Sequence, residues 1–198
     1  MFQPELAAGA RAGAGRVMTL DELLQPARFQ PLLLALYGPE LMPAQLPVLV
    51  SQWSKYYFAM LWQAASAGQV PARFDAVTVE LDARGLPVTF MAAQAPYCAS
   101  FSDVLEQHVR PLIARLALLG QLPAAVLWGN AGDYLEQQLK DDPQARALLT
   151  SAHSPLFEAV RYEAEGRRRR RTCCLSYKVA WVGYCEHCPL LSGTDQAQ

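Results

Sequence analysis

Four of the five cysteines in this 198-residue chain fall within sixteen positions near its C-terminus: Cys173-Cys174, ten residues, then Cys185-Glu-His-Cys188. Whatever the rest of the chain does, that stretch has to fold around sulfur. Cysteines used as small hydrophobes would be scattered through a core instead. A structural zinc ion wants four ligands in a tetrahedron, usually delivered as two pairs spaced two to four residues apart. Cys185 and Cys188 suit that demand. The adjacent pair suits it poorly, because neighbouring side chains on an extended segment point to opposite faces. A 2Fe–2S rhomb asks for two thiolates at each of two irons, so its ligands surround a wider object. Disulfides fit neither the tight local spacing nor a reducing compartment. The residues lean to iron–sulfur and leave zinc and a redox dithiol open.

The remaining composition describes the body that carries this cluster. With 52% apolar and 18% charged residues, the chain has the balance of a soluble globular protein of one domain. No run reaches the eighteen or so apolar residues of a membrane span. The first sixteen residues are rich in Ala and Gly and lack the apolar core of a secretory signal. A cytoplasmic location follows as the expectation. We expect 1–17 to be a flexible lead-in (or to precede a start at Met18), 18–191 to be a single domain, and 192–198 to be a flexible tail. The net charge of −1 conceals an asymmetry: between Arg161 and Lys178 stand seven basic residues and two acids. A local basic patch on a mildly acidic body predicts a specific anionic contact, not nucleic-acid binding.

Hydrophobic periodicity predicts an α+β fold, mainly helical, with a small antiparallel β-sheet. Thr19-Leu-Asp-Glu reads as a capping box. Val48 to Ala67 carries Leu49, Trp53, Tyr57, Met60, Leu61 and Ala64 at helical spacing, with Gly68 to close it. The period then shortens to that of strands on either side of Asp82–Gly85, which reads as a hairpin. Further helices are expected over Asp103–Leu119, over Ala131–Lys140 with Asn130 as N-cap, and within Pro143–Ala152. Leu156–Tyr162 and Arg167–Tyr177 read as a second hairpin that delivers the chain to the cysteines.

The segments Arg170-Arg-Thr-Cys-Cys-Leu-Ser-Tyr and Tyr184-Cys-Glu-His-Cys-Pro-Leu resemble the C-terminal signature of the FhuF-like ferric siderophore reductases. The adjacent pair and the later Cys-x-x-Cys match that family's pattern at all four positions. Leu127-Trp-Gly-Asn-Ala-Gly-Asp-Tyr-Leu resembles its Trp-x-Asn segment, and Ser51-Gln-Trp-Ser-Lys-Tyr-Tyr its aromatic helix. The resemblance implies a 2Fe–2S cluster on Cys173, Cys174, Cys185 and Cys188, within a binding segment spanning 170–191. It also implies reduction of Fe(III) in an imported siderophore, most often a hydroxamate. The partners it implies are a ferredoxin or flavoprotein electron donor and a peripheral contact with the inner membrane. A zinc-stabilised binding module and an electron carrier without its own substrate site are the alternatives.

Around the cysteines, Arg169, Arg170, Arg171, Lys178, Tyr184 and His187 are candidates for packing on the cluster or steering a partner. The run Arg167–Arg171 reads equally well as a solvated strand face. His187 could replace a cysteine ligand, though four thiols leave it no vacancy. Tyr177, Trp181 and Tyr184 could shield the cluster or offer a platform for the siderophore. Cys98 reads as a core thiol, Trp53, Tyr56, Tyr57 and Trp62 as helix core, and His108 and His153 carry no signal.

Overall fold

The structure, a computed structural model, describes residues 15–41, 44–91, 96–163 and 166–191. Strand β1 (Arg16–Thr19) runs directly into a short helix α1 (Leu20–Leu23), and α2 (Pro26–Tyr37) follows. The capping box forms as expected. Thr19 Oγ1 accepts the Glu22 N–H at 3.1 Å, and the Glu22 carboxylate accepts the Thr19 N–H at 3.0 Å. The expected lead-in is therefore too long at its end: Arg16 and Val17 pair with Leu81 and Glu80 in a sheet. The earlier part of the lead-in, 1–14, and the tail, 192–198, lie outside the described residues.

The long central helix α3 (Leu46–Ser66) carries its apolar stripe where the periodicity put it, with Leu49, Trp53, Tyr57 and Leu61 completely buried. Gly68 ends the segment with a positive φ of +66°, which glycine adopts without steric cost. Strands β2 (Thr78–Leu81) and β3 (Pro87–Met91) form the expected hairpin. Asp82 holds its turn, accepting N–H bonds from Arg84 and Leu86, each at 2.9 Å. With β1 they make a three-stranded antiparallel sheet in the order β1-β2-β3. Val79 and Leu81 face the core, and Thr78 and Glu80 alternate with them on the wetter face.

The helix expected from Asp103 begins slightly earlier. Ser100 is its N-cap, accepting the Asp103 N–H at 3.1 Å, ahead of α4 (Phe101–Val104). A π turn over Leu105–Val109 then leads into α5 (Arg110–Gly120). Pro111 supplies no N–H to the carbonyl four residues back, and the widened turn lies where that ladder bond is missing.

Helix α6 (Ala124–Leu139) departs most from expectation. It starts well before Asn130, which sits mid-helix and fully buried instead of capping an end. Its inner face packs along α3, and Trp62 Nε1 donates to the Ala131 carbonyl at 2.8 Å. Helix α7 (Pro143–Thr150) is capped by Asp142, whose carboxylate accepts the N–H groups of Gln144 and Ala145. Strands β4 (Val160–Tyr162) and β5 (Arg168–Arg170) pair antiparallel as a separate two-stranded sheet. The fold is thus the mainly helical α+β class expected, and among the described residues its strands form a three-stranded and a two-stranded antiparallel sheet. Among the described residues, no helix is long and apolar enough to cross a membrane.

Candidate metal centre

Strand β5 leads straight into the cysteine segment, and its arginines fix where that segment lies. The Arg168 guanidinium reaches Asp133 and Glu136, each at 2.7 Å. Arg170, almost fully buried, donates to Asp133 at 2.8 Å and to the Asn130 side-chain oxygen. Tyr162 on β4 adds its hydroxyl to Glu136. Asp133 and Glu136 lie a helical turn apart on α6 and so face the hairpin together. Two cations meet two carboxylates, which offsets the desolvation that each charge would suffer alone.

For Arg168 and Arg170 the expectation of a solvated face or a steering patch is therefore corrected. Arg168 and Arg170 are internal ion-pair partners, and Arg167 and Arg169 both contact Glu163, at 3.1 and 2.8 Å. Arg171, though exposed, donates to the Phe157 carbonyl at 2.7 Å. Lys178 is exposed.

Asn130 is the residue whose role the sequence concealed. Its Nδ2 donates to the Ser51 carbonyl, Ser51 Oγ and Ser54 Oγ at 2.9–3.1 Å, while its oxygen accepts from Arg170. One amide thus ties α3, α6 and β5 together. Gly129, just before it, leaves the space occupied by the Thr172 side chain: a Cβ there would overlap the Thr172 hydroxyl. Glycine is required at this point by close approach, not by backbone conformation.

Beyond Thr172 the chain meets α3 again. The Cys174 carbonyl accepts two bonds from that helix, from Ser51 Oγ at 2.8 Å and Gln52 Nε2 at 2.7 Å. Leu175 then takes a left-handed φ of +64°, unusual for a residue with a branched side chain and typical of strained functional turns. That turn aims the Leu175 N–H at Cys173 Sγ, 3.3 Å away, and brings Ser176 Oγ to 3.0 Å from Cys174 Sγ. Lys55 closes the network by donating to Gln52 Oε1 at 2.8 Å and to Ser176 Oγ at 2.6 Å.

The second cysteine pair is held by backbone. The Arg170 N–H donates to the His187 carbonyl at 3.0 Å, and the Cys188 N–H closes a turn on the Cys185 carbonyl at 3.0 Å. His187 thus contributes its carbonyl to the frame, and its ring stands 3.9 Å from the Glu186 carboxylate.

Cys174 and Cys185 come together with their sulfurs 3.6 Å apart. Metal–thiolate bonds of about 2.3 Å arranged tetrahedrally place two sulfurs about 3.8 Å apart, so this pair fits two corners of one metal site. Among the described residues, no three Cys, His, Asp or Glu side chains converge on a single point. Cys173 and Cys188 stand one and three residues along the chain from this pair, and four thiolates in all are the number that two metal ions with two thiolates each require. The Cys174 thiol is pulled well below its ordinary pKa, which favours the thiolate. The hydrogen bond from Cys185 contributes most, and the charges of Lys55 and Arg170 assist against the cost of burial. The Cys185 thiol is pushed up in turn, since it keeps the shared proton.

The outer side of the segment is apolar and open. Tyr177 and Tyr184 stack nearly parallel, with ring centroids 5.4 Å apart. Trp181 is 64% exposed, and Val182 and Leu190 also face solvent. Cys174 and Cys188 are buried, while Cys173 and Cys185 are half-exposed.

The other candidates fall away from the centre. Cys98 is half-buried and contacts the Pro71 carbonyl at 3.7 Å. Trp53, Tyr57 and Trp62 are core residues, and Tyr56 is partly exposed. His108 lies fully buried on the π turn, 2.6 Å from the Tyr57 hydroxyl, and burial pushes its pKa down to about 3. Sequence reasoning missed Lys55, Gln52, Ser176 and Asp133. The quoted Ser51-Gln-Trp-Ser-Lys stretch contained the first two, but only an alignment of helix face with cysteine segment could have linked them.

Two family profiles match the chain. That of the "Ferric iron reductase FhuF-like transporter" family matches residues 80–179. That of the "FhuF 2Fe-2S C-terminal domain" matches residues 170–190. No curated protein matches the chain as a relative.

Proposed function

From the premise that this chain belongs to the FhuF-like ferric iron reductase family, with a 2Fe–2S cluster as its cofactor, we propose that it is a ferric siderophore reductase. In this reading it takes single electrons from a ferredoxin or flavoprotein and passes them to Fe(III) held by a siderophore of the hydroxamate type. The products are the oxidised donor, Fe(II) released in the cytoplasm, and the free siderophore. The observation that carries the reading is the convergence of Cys174 and Cys185 at 3.6 Å beside a half-exposed Cys173, under an open aromatic surface.

The residues that would hold the cluster are Cys173, Cys174, Cys185 and Cys188. When bound, the cluster supplies one electron at a time at a potential set by charge, hydrogen bonds to sulfur and exposure. The chain's own residues supply the setting. Ser51 and Gln52 anchor the Cys174 carbonyl to a buried helix, and Cys188 is enclosed, so water is excluded from the inner side. On the outer side Tyr177, Trp181 and Tyr184 offer ring faces and edges to an approaching ferric complex. No covalent bond to the substrate is required. Hard oxygen ligands hold Fe(III) far better than Fe(II), so one electron turns a locked complex into a releasable ion.

The test uses anaerobically purified protein, pre-reduced and freed of reductant, mixed with a ferric hydroxamate and a chromogenic Fe(II) chelator. Stoichiometric Fe(II) release is expected. Protein that carries iron and sulfide, exchanges electrons with a ferredoxin, yet reduces no ferric chelate would be an electron carrier instead. Colourless protein with zinc in place of iron, expressed with adequate iron and kept from air, would overturn both readings in favour of a binding module.

A further inference from the structure

We propose that Lys55, acting through the Ser176 hydroxyl, sets how readily the cluster accepts an electron. The inference rests on the cluster assignment above. It adds a residue of α3, outside both spans matched by the family profiles.

Most cations around the cysteine segment already face a carboxylate or open solvent. Arg168 and Arg170 are paired with Asp133 and Glu136, and Arg167 and Arg169 contact Glu163; the charge of Arg170 also reaches Cys174, but from a guanidinium already bound to the Asp133 carboxylate. Arg171 and Lys178 are exposed, where water and salt screen them. Lys55 differs from all of these. It is partly buried against the segment, its ammonium donates to two neutral oxygens, and among the described residues it forms no ion pair. Its full charge is therefore left to act on what lies beyond those oxygens.

The polarity of the network follows from counting protons. Gln52 spends its NH2 group on the Cys174 carbonyl, which leaves Oε1 as an acceptor. Ser176 has one hydroxyl proton and two acceptors in reach, Gln52 Oε1 at 3.1 Å and Cys174 Sγ at 3.0 Å. Lys55 already supplies Gln52 Oε1. A metal-bound thiolate would be the charged acceptor, and the Ser176 hydroxyl would donate to it in preference to the neutral Gln52 oxygen. The chain of donors then runs from the Lys55 ammonium to the Ser176 hydroxyl to the Cys174 sulfur, and each bond polarises the next. Added negative charge on the sulfur strengthens every link. Reduction of the cluster is favoured accordingly, and Lys55 is a tuning residue that needs no contact with substrate.

The test is redox titration of the whole protein, followed by electron paramagnetic resonance, with iron and sulfide content measured on each variant. Lys55→Gln is expected to weaken reduction about tenfold, which is ~59 mV downward for one electron. Lys55→Arg should retain most of the wild-type potential, and Lys140→Gln, exposed at the end of α6, should not move it. Ser176→Ala should shift it in the same direction as Lys55→Gln. In that background Lys55→Gln should add little, because the relay is already cut. An unchanged potential in cluster-loaded Lys55→Gln, or full additivity of the two variants, overturns the proposal. Should Lys55→Gln fail to load, Ser176→Ala alone decides: an unchanged potential overturns the relay and a lowered one supports it. Wild-type protein without iron and sulfide would instead defeat the cluster assignment itself, a result distinguishable from either.

Discussion

Asp133 is a single carboxylate facing two guanidiniums, and it shows how much of the metal centre depends on residues that touch no metal. Arg168 and Arg170 both reach it, and Arg170 is nearly inaccessible to water. Asp133→Asn would keep the shape and remove the charge, leaving a buried cation uncompensated. Breaking one partner of such a set costs about 3–5 kcal/mol, and chemical denaturation should show a loss of that size. A loss below ~1 kcal/mol would mean that water replaces the missing charge and that the pairs are not closed. Individual residues of this group were only partly legible. The cysteines announced themselves by spacing. Local propensity makes Asn130 a helix cap, and tertiary packing overrides that propensity and buries it mid-helix. The arginine run read as surface because its counter-charges, Asp133 and Glu136, lie some thirty residues earlier on another element.

The contact between α6 and the segment after β5 is made possible by the absence of a side chain at Gly129. In an ordinary helix, replacing glycine by alanine stabilises by about 1 kcal/mol. Here the sign should reverse. The new Cβ would overlap the Thr172 hydroxyl and lie 3.1 Å from Thr172 Cβ, an overpacking that costs about 1–3 kcal/mol. Thr172→Ala should be mild alone and should restore most of the stability lost in Gly129→Ala, a coupling visible in a double-mutant thermal-melt cycle. If Gly129→Ala stabilises the protein, α6 and the cysteine segment do not meet as described. Most elements were readable where hydrophobic period and turn chemistry agreed, as in α3 and the β2–β3 hairpin. The boundaries that slipped were those set by long-range contact. Helix α6 begins at Ala124 without any side-chain cap, and locally only Pro123, just before it, marks that start. Strand β1 gains its identity only by pairing with β2.

At the level of the molecule, the helical body and the metal segment draw on different sources of stability. Helices α2, α3, α5 and α6 share one core, built on Phe29, Leu33, Trp53, Tyr57, Leu61, Leu116, Leu127 and Leu135, and no cysteine ligand belongs to it. Between Thr172 and Leu191, by contrast, the buried side chains are only Cys174, Ser176, Val179 and Cys188. A segment with so little apolar burial cannot offset its own ordering entropy, and the bonds from Ser51, Gln52 and Arg170 anchor it at only a few points. Cluster binding must supply the rest. Removing iron and sulfide under reducing conditions should therefore leave the far-ultraviolet helical signal and a cooperative melt largely in place. Amide hydrogen exchange should rise sharply across 173–191 and stay slow in α3 and α6. A zinc-finger-like domain, which unfolds when its metal is withdrawn, would behave in the opposite way. Global loss of helix on cluster removal would show that the cysteine segment is the keystone of the fold and that body and segment are not separately stabilised. Retention of slow exchange throughout 173–191 would show equally that the hydrogen bonds from α3 suffice to order the segment before any cluster is assembled.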